Sequence, residues 1–505
     1  MGDLSKDSVS FWKTTAWAIA GILPIGALLG SISATGGYAS PFVVLLAFLL
    51  VIFLTIPILE YTRLAKFAGG YYGAAELGFG KAVGKFVALT NYFYYIGWQV
   101  ANATYVGSLL AVGYYAIYGT YPPEYSYFLI GAAALVVPFL SSILHVKQVS
   151  SIIWYLTIAG FIMNIIAFSI LLYRSHYLSL NEFNPSYSPG GIHGAFLSLI
   201  AYGFFTFAGY GFLLFYTEEG KQPFKNTWRA AIIALAVSTI FWMLGAISVN
   251  SVFGPQGIQK AISFPQPGLL LYVKYLGSVG ELTIVGILLI LVVFSFASGV
   301  GGQGRILYSL ARDDFLKWKW IEKLNKNNVP MNAMLFNFIV SLSLFIILGV
   351  IFIPIYGYFN AIFYMSYVPT TIATILWYFH HLIPDLSLSM FYRRNRISLT
   401  KMRTFIIAVL VPTISTGVFV YSLYESVISD LVEPYFAGFV ISVITLIFSA
   451  IYVVIKRNSL GTSIVLQNLN EEALKELRNP IETRNIENSP RLLYRIYKYF
   501  TNKNL

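Results

Sequence analysis

Runs of about twenty apolar residues, separated by short charged or Gly/Pro-containing connections, recur along almost the whole chain. They lie near 14–34, 40–60, 86–118, 126–146, 150–173 and 195–216, then near 231–252, 281–308, 333–353, 357–379, 404–425 and 434–455. Each is long enough for a helix to cross the roughly 30 Å hydrocarbon core of a bilayer. Inside lipid the backbone must satisfy its own hydrogen bonds, which leaves helices or closed barrels, and runs of this length are helical. Composition agrees. The 505 residues are 57% hydrophobic and 11% charged, with mean hydropathy +0.70, where a soluble domain carries about 25% charge. The expected fold class is an all-α polytopic membrane protein of twelve transmembrane helices.

The Lys and Arg residues set an orientation. With the N-terminus inside, the inner connections carry Arg63, Lys66, Lys81, Lys85, Lys147, Lys221, Lys225 and Arg229, and further on Arg305, Arg312, Lys317, Lys319, Lys323 and Lys326. Arg393, Arg394, Arg396, Lys401 and Arg403 complete them, while the outer connections hold only Arg174, Lys260 and Lys274. By the positive-inside rule both ends are cytoplasmic and the protein is a multi-pass component of the cell membrane. Ser31-Ile32-Ser33-Ala34 has the form of a signal-peptidase site, but Pro24 and Gly26 interrupt the run before it, so an uncleaved first span is expected. Three regions follow: a cytoplasmic segment 1–13, a span region 14–455, and a cytoplasmic tail 456–505. In the tail Asn470 is placed to cap a helix opened by Glu471 and Glu472. Leu492, Leu493, Ile496 and Phe500 alternate with Arg491, Arg495 and Lys498, a pattern open to two readings, a basic helix lying on membrane lipids or a solvated tail.

Two runs are interrupted. The first contains Gly21, Pro24, Gly26 and Gly30, and the sixth contains Gly203 and then Phe205-Thr206-Phe207-Ala208-Gly209-Tyr210-Gly211. If spans 1–5 and 6–10 are related halves, these are the first helices of each, and broken helices in matching places mark the midplane site of membrane carriers. Free N–H groups at a break face an anionic group and free carbonyls a cationic one. Glycine that merely lets helices pack closely is the competing reading. The eighth run holds Ser295 and Ser298 among small residues. These hydroxyls are candidates for a cation site, with helix packing as the alternative.

Four motifs then resemble the amino acid–polyamine–organocation (APC) transporter family. Glu60-Tyr61-Thr62-Arg63-Leu64-Ala65 through Gly69-Gly70-Tyr71-Tyr72, with Phe79-Gly80, is similar to the segment after its second span. Phe204 to Tyr210 resembles its FFAFTGF stretch, and Glu218-Glu219-Gly220-Lys221-Gln222-Pro223 its EE-x-K-x-P continuation. Arg305, Ala311-Arg312-Asp313-Asp314 and Val329-Pro330-Met331-Asn332-Ala333 look like its R…ARDG…P-x-NA signature. The resemblance covers nearly the whole membrane part. It implies a five-plus-five inverted repeat with broken helices 1 and 6 plus two additional helices, and alternating access around an amino acid. The substrate carboxylate would meet backbone amides near Ile25, Gly26, Ala27 and Leu28. The amine would meet carbonyls near Phe205, Phe207, Ala208 and Gly209, with Phe205 covering the solute. Tyr94 and Asn102 look like a family pair lining the route and contacting substrate. The chain departs from the family at Leu28, where a second glycine is usual, at Gly211, where an acid is common, and in lacking a lysine in 150–173. The departures leave H+ and Na+ both open as coupling ion.

None of the acidic residues falls in the middle of a run, and Glu60, Glu281 and Glu425 sit at run ends. An intramembrane ionisable group is the usual mark of a proton relay or a charged-substrate site. Its expected absence favours neutral or zwitterionic amino acids over a polyamine or cationic amino acid exchanger. His380 and His381 adjoin the inner end of the tenth run, and His193 reads as an outer-loop residue. With no cysteine, no HExxH and no Walker loop, thiolate or His-pair metal sites, nucleotide cofactors and an enzyme are not expected. The basic balance of +12 is placed by topology, not by nucleic-acid binding. Transport by a secondary permease leads; a membrane sensor that binds an amino acid without turnover is the other reading.

Overall fold

The structure, a computed structural model, describes residues 4–22, 26–27, 31–141, 144–199, 203–261, 267–295, 301–395, 397, 405–424 and 435–478. Among these the chain is helical, with isolated bridges at Val9–Gly220 and Ala65–Leu469 in place of any sheet. The first run is split into α1 (Phe11–Ile22) and α2 (Ser31–Gly36). Then come α3 (Ser40–Leu64), α4 (Tyr71–Phe79), α5 (Lys81–Tyr118), α6 (Tyr125–Ser141) and α7 (Val146–Tyr173). The sixth run is in pieces: α8 (Gly191–Ser198), α9 (Phe204–Ala208) and a 3-10 segment Gly209–Tyr216. There follow α10 (Pro223–Ala261), α11 (Pro267–Leu276), α12 (Ser278–Ser295), α13 (Gly301–Arg312) and α14 (Met331–Arg394). The chain closes with α15 (Val411–Leu423), α16 (Tyr435–Ile455), α17 (Ile464–Gln467) and α18 (Glu471–Arg478).

Among the described residues six helices, α3, α5, α7, α10, α14 and α16, are long and apolar enough to cross a bilayer. Their outer faces show what solvates them. In α16, Ile444, Ile447, Ile451 and Val454 are each more than half exposed, while Ser442 and Ser449 on the other side are buried. A helix that turns its isoleucines outward and its hydroxyls inward is built for lipid, not for water. Gly357, at φ 71°, divides α14 into legs 331–356 and 358–394. A left-handed backbone is open to glycine without strain, and here it turns one long helix into two.

The ends of α3 mark the two ends of the bundle. At one, Asn250 of α10 donates to the carbonyls of Gly37 (3.3 Å) and Tyr38 (3.0 Å) and to Ser40 Oγ (3.0 Å). Tyr38 there donates to the carbonyl of Tyr177 at 2.7 Å, so the connection after α7 is tied across the top of α3. Beside them Glu182 is 1% exposed. Burial, which outweighs the polar groups of Ser179 and Asn250, pushes its carboxyl up to about 8. At the other end the backbone of Leu64 and Lys66 pairs with Asn470 and Asn468, so the segment after α16 lies across the foot of α3. The predicted cap is present: Asn470 Oδ1 accepts from Ala473 N–H at 3.2 Å. The basic pattern 491–500, with all of the tail beyond Arg478, lies outside the described residues.

Candidate functional site

The two interrupted helices touch. A Cβ on Gly21, one residue before the end of α1, would meet the carbonyl oxygen of Gly209 and the ring of Phe212, and a Cβ on Gly209 would meet the carbonyl oxygen of Gly21. Only two glycines allow backbones that close, which gives these positions a packing reason beyond helix breaking. Around the contact Trp17 stacks on Tyr216 with ring centroids 4.0 Å apart, and its indole N–H donates to Ser150 Oγ at 2.9 Å. The carbonyl of Ile22, where α1 stops, accepts a 3.3 Å bond from Trp242 Nε1 of α10. A helix terminus buried in an apolar bundle needs such partners for its orphan groups.

Gly26 and Ala27, which the sequence places at the break, form a short 3-10 turn beyond α1. A Cβ on Gly26 would press on the Trp242 ring at 3.0 Å, and Ala27, 2% exposed, packs against Gly245 of α10. Ile25 and Leu28 lie outside the described residues. Phe207 and Ala208 are buried in α9, and Gly209 opens the 3-10 segment at the contact. Phe205 is in α9 with its side chain outside the described ones. Ser295 ends α12, its side chain likewise, and Ser298 lies outside. The structure therefore brings Gly26, Ala27, Ala208 and Gly209 to one region where α1, α10 and the 3-10 segment converge.

Tyr94 and Asn102 both point into protein, 0% and 4% exposed. Eight residues apart on α5, they are separated by about 12 Å of helix rise. The hydroxyl of Tyr94 and Nδ2 of Asn102 lack hydrogen-bond partners among the described residues. The contact to the 3-10 segment is made instead by their neighbours Tyr95, 5.4 Å from Phe212 and 5.3 Å from Phe215, and Trp98, 5.7 Å from Phe212. These aromatics carry no signal in the sequence apart from their abundance.

Immediately beyond the 3-10 segment lies a charged lock. Arg305 Nε and Nη2 bind Glu219 at 2.7 and 2.9 Å, with the guanidinium 4.1 Å from the Tyr216 ring, and Arg312 holds Glu218 through two bonds of 2.8 and 2.7 Å. Lys85 binds Glu76 at 2.9 Å and also Asp313, whose other oxygen accepts from Thr462 Oγ1 and the Ile464 N–H. Burial raises the carboxyl of Glu219, and Arg305 opposes that rise. The motif segments that resemble one family are thus those that close on each other in space.

One expectation is corrected. The tenth run does not end at residue 379: the second leg of α14 continues through Pro384 to Arg394, and His380, His381 and Asp385 are all 0% exposed within it. A buried ionisable group therefore lies in the same helix as the tenth run, beyond its apolar stretch. The apolar run stops at His380 because His, Pro and Asp break a hydropathy pattern, but α4 packs over this stretch and protein, not lipid, surrounds it. Gly78 of α4 sits against the backbone of Ser387, and Tyr61 of α3 bonds Ser387 Oγ at 2.7 Å. His193 is found at the start of α8 with Nδ1 2.9 Å from the Tyr421 hydroxyl.

A polytopic helical bundle whose two interrupted helices meet backbone to backbone at its core has the architecture of a membrane carrier. Comparison with known proteins agrees. The family model described as amino acid permease matches residues 9–466, and the chain belongs to that family, within the APC transporters. Among curated proteins it is similar to the uncharacterized amino acid permease YecA of Bacillus subtilis (strain 168), 26% identical over 315 residues that cover 61% of this chain and 69% of that protein.

Proposed function

We propose that this protein is a secondary active permease that moves neutral or zwitterionic amino acids across the cell membrane by alternating access. The observation that carries the reading is the Gly21–Gly209 contact, where the end of α1 and the start of the 3-10 segment put peptide groups of two broken helices side by side. The expected architecture is twelve spans with both termini cytoplasmic, arranged as a five-plus-five inverted repeat plus two helices. Amides near Gly26 and Ala27 would take the substrate carboxylate, and carbonyls near Phe207, Ala208 and Gly209 its amine. With Asp385 buried in α14, the preference for a substrate without net charge cannot rest on an absence of buried acids. It rests on the convergence itself, where Trp17, Ala27, Phe207, Ala208 and Trp242 are buried and neutral.

The test is uptake of each standard amino acid into proteoliposomes, under pH and sodium gradients imposed separately. The permease reading expects accumulation of unchanged substrate inside the vesicle. Saturable binding with no flux in either gradient or in counterflow would leave the sensor reading in its place.

A further inference from the structure

The second leg of α14 carries a buried polar cluster that the helix crossing does not use. His381 and Asp385 are four residues apart, so one stands above the other on the same helix face, and both are 0% exposed. Both carboxylate oxygens of Asp385 lack a hydrogen-bond partner among the described residues, and no Lys or Arg among them is within ion-pair distance of it. Pro384 has no N–H to return to the carbonyl of His380 one turn earlier. His380 Nδ1 donates to the Leu376 carbonyl at 3.0 Å, which leaves Nε2 as an acceptor, and that atom too has no partner among the described residues.

Among the described residues, the titratable side chains that other elements bring against this cluster are tyrosines. The ring of Tyr71 (α4) lies 4.6 Å from that of His380 and 4.5 Å from that of His381, and Tyr94 (α5) lies 4.8 Å from His380. Tyr61 (α3) reaches the same leg through its hydroxyl, 2.7 Å from Ser387 Oγ. The Tyr210 hydroxyl stands 3.3 Å from His381 Nε2 and 3.4 Å from Nδ1.

An ionised carboxylate in such a place, with neither cation nor donor, costs several kcal/mol. The smallest species that removes the cost is a proton, and acceptors for it stand one turn away. Tyr210 follows directly on Gly209, the residue in backbone contact with α1, so a shift at the helix crossing moves the hydroxyl that reaches His381. We propose that Asp385, with His381 as its transfer partner, is the proton-binding site that couples this permease to a proton gradient. A proton from water on one side neutralises the Asp385 carboxylate, and the same proton passes by way of His381 to water on the other side when the crossing rearranges. Nothing is oxidised or reduced. The inference rests on the transport reading and adds to it the coupling ion and its residues.

The experiment uses the full chain in proteoliposomes enclosing a pH-sensitive dye, with each standard amino acid tried first in counterflow. Wild type is expected to acidify the lumen when substrate is added outside, and to concentrate substrate on an inward proton gradient. Asp385→Asn is expected to keep counterflow but to lose at least about 90% of both gradient-driven accumulation and dye response. Infrared difference spectra between acid and alkaline buffer should show a carboxylic-acid carbonyl band that Asp385→Asn lacks. Should Asp385→Asn not fold, the wild-type dye response and the same band in His381→Gln, shifted along the pH axis, carry the test. Wild-type accumulation driven by sodium with no lumenal acidification, or an Asp385→Asn protein that concentrates substrate like wild type, overturns the proposal while leaving transport standing. No counterflow for any amino acid refutes the permease reading instead, and a band absent from wild type then refutes the proton site as well.

Discussion

Gly21 and Gly209 each occupy the space the other's side chain would need: a Cβ on either one meets the backbone oxygen of its partner. They lie 188 residues apart along the chain, yet their fit is mutual. Adding a methyl to Gly209 forces two backbones apart, an overpacking that costs about 1–3 kcal/mol. Gly209→Ala should therefore lower thermal stability in detergent and reduce counterflow at least tenfold. Gly417→Ala, where a Cβ meets nothing within 4 Å, should leave counterflow unchanged and shift stability by no more than about 1 kcal/mol. Equal behaviour of the two variants would remove the crossing from the mechanism.

Gly26 tests the broken first helix more gently. A valine there pushes on Trp242, whose indole N–H serves the last carbonyl of α1. Gly26→Val is expected to abolish uptake while the protein remains folded by size-exclusion chromatography. Trp242→Phe, which removes the 3.3 Å bond to Ile22 and part of the ring that faces Gly26, should lower stability by more than the about 0.5–1.5 kcal/mol of the bond alone and leave measurable transport.

The buried Arg305–Glu219 pair makes an energetic prediction. Arg305 is 2% exposed and Glu219 0%, so removing one partner strands the other charge, at about 3–5 kcal/mol. Arg305→Met should thus be far less stable than wild type, and the double variant Arg305→Met with Glu219→Leu should recover most of the loss. A double variant no better than the single one would show that the guanidinium's packing on Tyr216 matters more than its charge.

Glu182 gives a pH dependence with a definite sign. Its carboxyl is held at about 8 in the folded protein against an ordinary 4.5, so between these values the folded state binds the extra proton. Stability from this group is complete below about 4.5 and declines as pH rises towards about 8. Melting temperature should fall across that window in wild type, and the slope should flatten in Glu182→Gln. A Glu182→Gln curve parallel to wild type would assign the slope to other groups.

Much of this fold is legible in the amino-acid sequence. Apolar runs place the long helices because lipid imposes their length, and in the sixth run α9 gives way to the 3-10 segment at Gly209. The cap at Asn470 is legible because it is local chemistry. Ion pairing is not: Arg305–Glu219, Arg312–Glu218 and Lys85–Asp313 span 86, 94 and 228 residues, and no local pattern encodes such partners. Asp385 escapes a hydropathy pattern for a different reason. Hydropathy treats a buried helix as one buried in lipid, whereas this stretch is covered by α4 and the foot of α3, where polar residues are tolerated.

The strand of chain between Gly461 and Asn470 has an engineering consequence. Gly461 accepts from Lys81 Nζ, Thr462 and Ile464 grip Asp313, and Asn468 and Asn470 pair with Lys66 and Leu64. Like a stitch, it fastens together α3, α5 and α13, pieces that are far apart along the chain, and these three are expected to travel as a single body. A donor and an acceptor dye placed on any two of them should hold a constant separation through turnover, which makes that body the natural reference frame for measuring the motion of everything else.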